Sequence, residues 1–257
     1  MPGPGVAGMS EVAMAAWLFA FARMAGWALL DPLLARVPVF LRLLLAAALA
    51  AALLPGLADA TLPAPFSLAG GLALAAEALW GAALALCVWL VFAAMEAVLV
   101  WFGHSASGGL LMLTTEQAMP ADAAWRSLAG WLAAMAFLAA NGHLLVMSAL
   151  AQSFAAMPVA ALPAGPDLRL LAEGGAWLFT AGVQLALPLL AFALLLQLAL
   201  AVLARTVPGV DMFSVGLGVA AMSVLVALIW AMPLISAGMA SGIEQLSGWL
   251  DRLVGAR

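Results

Sequence analysis

Three stretches of this chain run without a charge for longer than a bilayer is thick: Ser127 to Pro166, Gly174 to Ala204 and Met212 to Ile243. About 20 apolar residues in helical form cross a hydrocarbon core roughly 30 Å deep. The last two runs are nearly unbroken hydrophobic sequence, so they must hold membrane-length helices. Val12 to Leu30, Val39 to Leu54 and Leu68 to Phe102 are further candidates, the last long enough for one extended helix or a broken pair. Six helical elements follow. With 68% hydrophobic and 8% charged residues and a mean hydropathy of +1.20, an ordinary soluble globule is excluded. The expected fold class is all-α, a polytopic helical membrane protein.

Proline and glycine punctuate these elements. Asp31-Pro32, Pro38, Pro55-Gly56 and Pro63-Ala64-Pro65 bracket the second helix, and Pro158, Pro163 and Pro166 close the fourth. The connections leave no room for a soluble catalytic domain, and no internal repeat is evident, so residues 1–257 are expected to form one integral helical bundle. Residues 1–10 carry no positive charge, and the first hydrophobic segment is expected to stay rather than be cleaved as a signal peptide. All eight basic residues are Arg, against twelve acids, which leaves no basic surface to follow a nucleic-acid backbone. Cys87, the single cysteine, lies in an apolar run and reads as a small buried hydrophobe. Arginine placement gives contradictory orientations: Arg36 and Arg42 favour an external N-terminus, yet six spans would then put Arg252 and Arg257 outside too.

Polar groups inside greasy segments are the remaining source of chemistry, because an arginine at mid-bilayer costs about 2.5–3.5 kcal/mol on insertion scales. Arg23 and His143 are the deepest. Glu11 is too far along the same helix to pair with Arg23, so the partner must come from another segment. Glu77 and Glu96 are separated by eighteen uncharged residues, about 28 Å of helix, and are expected to mark two ends rather than one proton-relay site. No metalloprotease, phosphate-loop or dinucleotide motif is present. Gly103-His104-Ser105-Ala106-Ser107 lacks the second glycine of a nucleophile elbow, and the histidines and acids show no metal-ligand spacing; neither catalysis nor a metal or other cofactor is expected. Asn141-Gly142-His143 reads as a polar turn or an interhelical hydrogen-bonding knot. Gly238 and Gly242, spaced as GxxxG, predict close helix approach, and the fourteen methionines are mostly core filler.

Several blocks together resemble the FliR family of type III secretion export-gate proteins. Phe21-Ala-Arg23-Met-Ala-Gly26, then Val37-Pro38-Val-Phe-Leu-Arg42 and Pro55, is similar to the family's N-terminal pattern. Phe137-Leu-Ala-Ala-Asn141-Gly142-His143, running on to Ser153-Phe154-Ala-Ala-Met-Pro158, resembles its Asn-Gly-His segment and sequel. Leu187-Pro188 and Ala204-Arg205-Thr-Val-Pro208-Gly-Val-Asp211-Met-Phe213 resemble its C-terminal hairpin, with Asp211 where Asn is usual.

The resemblance extends over about residues 12–245 and implies a subunit of the flagellar export gate, with an injectisome homologue or a small-solute permease as alternatives. It implies a FliP-like portion over about residues 12–165 and a FliQ-like hairpin over about residues 170–250. The implied partners are FliP-like and FliQ-like subunits, FlhA- and FlhB-type export components, unfolded exported proteins and membrane lipid. Arg23, Asn141, His143 and Arg205 are then polar structural or interaction residues. Family architecture also lifts much of such a complex above the plane of ordinary membrane helices, which accounts for the conflicting arginines. Gly108, Gly109, Leu110, Leu111, Met112 and Leu113 read from the residues alone either as an apolar plug or as a simple helix break; the resemblance implies the plug. Met119-Pro120 stands where that loop usually has Asp-Pro.

Overall fold

Apolar side chains recur on every face of these segments, with long stretches free of Pro and Gly, and the backbone accordingly closes its hydrogen bonds within helices. The computed structural model describes residues 6–53, 62–106, 118–160, 168–206 and 212–254. They form α1 (Val6–Leu30), α2 (Val39–Leu53), α3 (Leu68–Ala106), α4 (Ala118–Ala139), α5 (Gly142–Ala156), α6 (Leu168–Thr206) and α7 (Met212–Val254), with a single 3-10 turn at Leu34–Arg36. No strand occurs among the described residues, and the protein is all-α.

Among the described residues seven helices replace the expected six, because the run from Ser127 to Pro166 breaks in the middle. Asn141 takes φ 58°, in the left-handed region that Asn tolerates, and its amide donates to Leu138 O at 3.1 Å. That geometry ends α4 and lets α5 start at Gly142, so the Asn-Gly dipeptide is a turn. The Leu68–Phe102 segment, by contrast, is continuous within the 39-residue α3. Ser67 starts it by accepting the Gly70 amide on Oγ at 3.0 Å.

Among the described residues three helical segments are long and apolar enough to cross a membrane: Val12–Leu30, Leu68–Phe102 and Ala172–Ala199. The α4–α5 pair makes a fourth if taken as one broken span, and Val39–Leu53 is too short.

The chain divides into two compact units, and α3, α6 and α7 each pass through both. The first comprises Met1–Leu90, His143–Gly174 and Gln245–Arg257. Here α1 lies on α2, whose buried Ala46 and Ala50 are one turn apart; Trp17 Nε1 donates to Ala47 O at 3.3 Å and its ring stacks on Phe21. The second comprises Val91–Gly142 and Gly175–Glu244. Its core sets Leu99 and Phe102 of α3 against Ala129 of α4, Leu189 of α6 and Ala231 of α7, alanines admitting the helices closely while the larger side chains fill the space. Within this unit Gly238 of α7 faces Leu185 of α6, and Gly242 faces Trp177. The residue numbers fall on one helix as they rise on the other, so α6 and α7 run antiparallel.

Candidate functional site

The first unit contains a charged cluster closed off from solvent. Arg23 on α1 is 1% exposed and Glu77 on α3 is 2% exposed. Arg23 Nε donates to Glu77 Oε2 at 2.6 Å. The remaining nitrogens turn to the end of α5: Nη1 donates to Ser153 O at 2.9 Å and to Ser153 Oγ at 3.2 Å, and Nη2 donates to Met157 O at 3.2 Å. The guanidinium also lies over the Phe154 ring, 4.2 Å from its centroid. Ser153 Oγ in turn donates to Leu150 O, and the second oxygen of Glu77 accepts the Ala160 amide at 2.8 Å. Both oxygens of the carboxylate and all three guanidinium nitrogens are thus used. That degree of satisfaction lets a pair of charges persist where water is excluded.

The approach of α1 to α3 makes this geometry possible. A Cβ on Gly26 would run into the carbonyl of Ala78, and a Cβ on Gly81 into the carbonyl of Arg23. The two glycines face each other's helix backbone beside the ion pair, and only hydrogen at those positions lets the helices come near enough for a direct Nε–carboxylate bond.

A second polar corner joins α1 to α2. Asp31 is buried and accepts the amides of Leu33 and Leu34 on Oδ1, opening the 3-10 turn. Burial pushes its carboxyl above the ordinary carboxylate range, and the Leu34 and Leu33 amides draw it part of the way back. Arg42, one turn into α2, folds back to donate Nε to Val37 O at 2.7 Å and Nη1 to Leu29 O at 3.2 Å, with Nη2 on Ala35 O. The Pro38-to-Arg42 step therefore ties the linker's carbonyls to the start of the second helix.

The other sequence-derived positions do not converge on these clusters. Asn141 is an exposed turn residue. His143 sits half-buried at the start of α5, with Nδ1 lacking a hydrogen-bond partner among the described residues. Arg205 is exposed in the last turn of α6, where a positive charge suits the helix dipole. Gly108, Gly109, Leu110, Leu111, Met112 and Leu113 lie outside the described residues. Glu77 does not mark a helix end: it is well inside α3, where a buried arginine holds it, while Glu96 is half-buried farther along. No group of three or more His, Cys, Asp or Glu side chains that could hold a metal occurs among the described residues, and Cys87 is buried. Sequence reasoning missed Glu77 as the partner of Arg23, together with Ser153 and the main chain at Met157 and Ala160. The available signal was Glu77 itself, a second charge in the middle of an apolar run.

These features define a polytopic helical membrane protein whose deep charges are neutralised within its own fold. The family described as bacterial export proteins, family 1, matches residues 14–246. The chain belongs to that family. Among curated proteins it is similar to the flagellar biosynthetic protein FliR of Escherichia coli (strain K12), 36% identical over 105 residues, which is 38% of this chain and 40% of the relative. It is also similar to the flagellar biosynthetic protein FliR of Pectobacterium carotovorum subsp. carotovorum, 41% identical over 86 residues, 33% of each. The matched stretches thus span less than half the length of these curated relatives.

Proposed function

We propose that this protein is a subunit of the flagellar type III export gate in the bacterial inner membrane, serving the passage of axial proteins that build the flagellum. The observation that carries the proposal is the match to the bacterial export family over residues 14–246, nearly the whole chain. The flagellar branch is preferred over the injectisome because both curated relatives bear flagellar biosynthetic names. In this reading the chain is a non-catalytic, multi-pass component of the basal body. It assembles with FliP-like and FliQ-like subunits and works beside FlhA- and FlhB-type components on unfolded substrates. Residues of about 12–165 act as the FliP-like portion and about 170–250 as the FliQ-like hairpin. Gly108 to Leu113 close the pore, two glycines freeing the backbone and four apolar side chains excluding water.

Two measurements test the proposal. A strain lacking the gene should stop flagellar assembly at the inner-membrane structures, and affinity purification of the tagged chain in mild detergent should recover FliP-like and FliQ-like partners. Normal filaments in the deletion strain would refute it.

A further inference from the structure

The end of α5 is held by groups that do not belong to α5. The helix stops at Ala156, and Pro158 has no amide with which to continue it. Met157 N still bonds back to Ser153 O at 3.0 Å, but beyond that the turn relies on two other helices. Arg23 of α1 grips the carbonyls of Ser153 and Met157, and Glu77 of α3 takes the Ala160 amide. Ala160 sits at φ 64°, a backbone region that costs an alanine free energy and persists only where surroundings impose it. The side chain of Val159, between these anchor points, is 5% exposed.

Contact between α1 and α3 does not depend on this turn. Gly26 and Gly81 bring the two backbones together, and Arg23 and Glu77 bind each other directly. If the turn left, the pair would stay neutralised, Arg23 would keep Ser153 and exchange only the Met157 carbonyl for water or a lipid head group, and Glu77 would likewise exchange the Ala160 amide. The strained residue would at the same time relax. The stable and the detachable parts are therefore different parts.

We propose that the Arg23–Glu77 pair is a latch for the C-terminal turn of α5, with a closed state that buries Val159 and a released state in which Met157 to Ala160 detach while α1 and α3 stay paired. The closed state is balanced between bonds donated from outside the helix and strain at Ala160. Such a segment opens locally, at lower free energy than the fold around it. The latch needs only the folded chain, so it stands or falls separately from the export reading.

Thiol labelling of the full chain in membranes tests it. In a Cys87→Ala background, Val159→Cys reports on the turn and Val88→Cys, on the buried face of α3, reports on general opening. Glu77→Gln weakens a charge-assisted bond to Ala160 N and also takes the counter-charge from Arg23, so maleimide labelling at position 159 should speed about tenfold more than labelling at position 88. Ala160→Gly keeps the ion pair and removes the strain, so it should slow labelling at position 159. Equal acceleration at positions 88 and 159 in Glu77→Gln, or labelling at 159 that neither substitution alters, would overturn the latch. If Glu77→Gln fails to accumulate, Ala160→Gly decides alone: slower labelling supports the latch, and unchanged or faster labelling overturns it.

Discussion

At Arg23, consequences depend on what a substitution leaves behind. An isolated buried arginine would be replaced by leucine at little loss, since desolvation disappears with the charge. With Glu77 beside it, Arg23→Leu strands a carboxylate out of reach of water, and we expect a loss of about 3–5 kcal/mol. Arg23→Glu should be at least as damaging, because two acids then face each other. The double change Arg23→Leu with Glu77→Leu should recover most of the loss. Thermal unfolding of the detergent-solubilised chain across the four combinations measures the coupling, and additive effects would show that the two side chains do not act as a pair. The chain announces half of this site. Arg23 stands out because it is charged within an apolar run, whereas Glu77 is 54 residues away and nothing in local spacing connects them. Ala160 is invisible in sequence, because its contribution is a main-chain amide that any residue but proline possesses.

At the scale of helices, glycine matters according to what it faces. Gly26 and Gly81 lie against backbone carbonyls, which can move only if whole helices separate; Gly238 lies against the side chain of Leu185, which can rotate away. Gly81→Ala and Gly26→Ala should each destabilise by about 1–3 kcal/mol. Gly238→Ala should be near neutral, since alanine's better helix propensity of about 1 kcal/mol offsets the crowding. Melting temperatures of the purified variants test the ranking, and a Gly238→Ala loss equal to that of Gly81→Ala would contradict it. Sequence spacing singled out Gly238 and Gly242 because they share one helix. Gly26 and Gly81 form no motif, being on two helices that only the fold brings together. The split between α4 and α5 was legible only in part: Asn141-Gly142 offered a turn or an interhelical knot, the run around it was counted as one element, and a local backbone geometry decides for the turn. The length of α3 was legible only in part, since its composition permitted either one helix or two.

For the whole molecule, the proposed plug separates sealing from assembly. Deleting Gly108 to Leu113 should leave recovery of the gate complex unchanged while raising ion conductance and small-solute permeability of cells that express it, because a plug, unlike a connector, fills a lumen rather than joining helices. A tight membrane with normally assembled complexes would sink the plug, and poor recovery of complexes that stay sealed would identify a connector. The ion pair sets a different condition, one of time. Met157, which accepts from Arg23, comes 134 residues later in the chain. At about 5–20 residues per second of synthesis, a nascent Arg23 waits roughly 7–27 s for that carbonyl. Throughout that interval α1 has left the ribosome with its guanidinium incompletely satisfied, and water or phosphate head groups must serve it. Part of the final surroundings of α1 is missing until α5 and the turn after it have been made, and its settling is scheduled by their emergence.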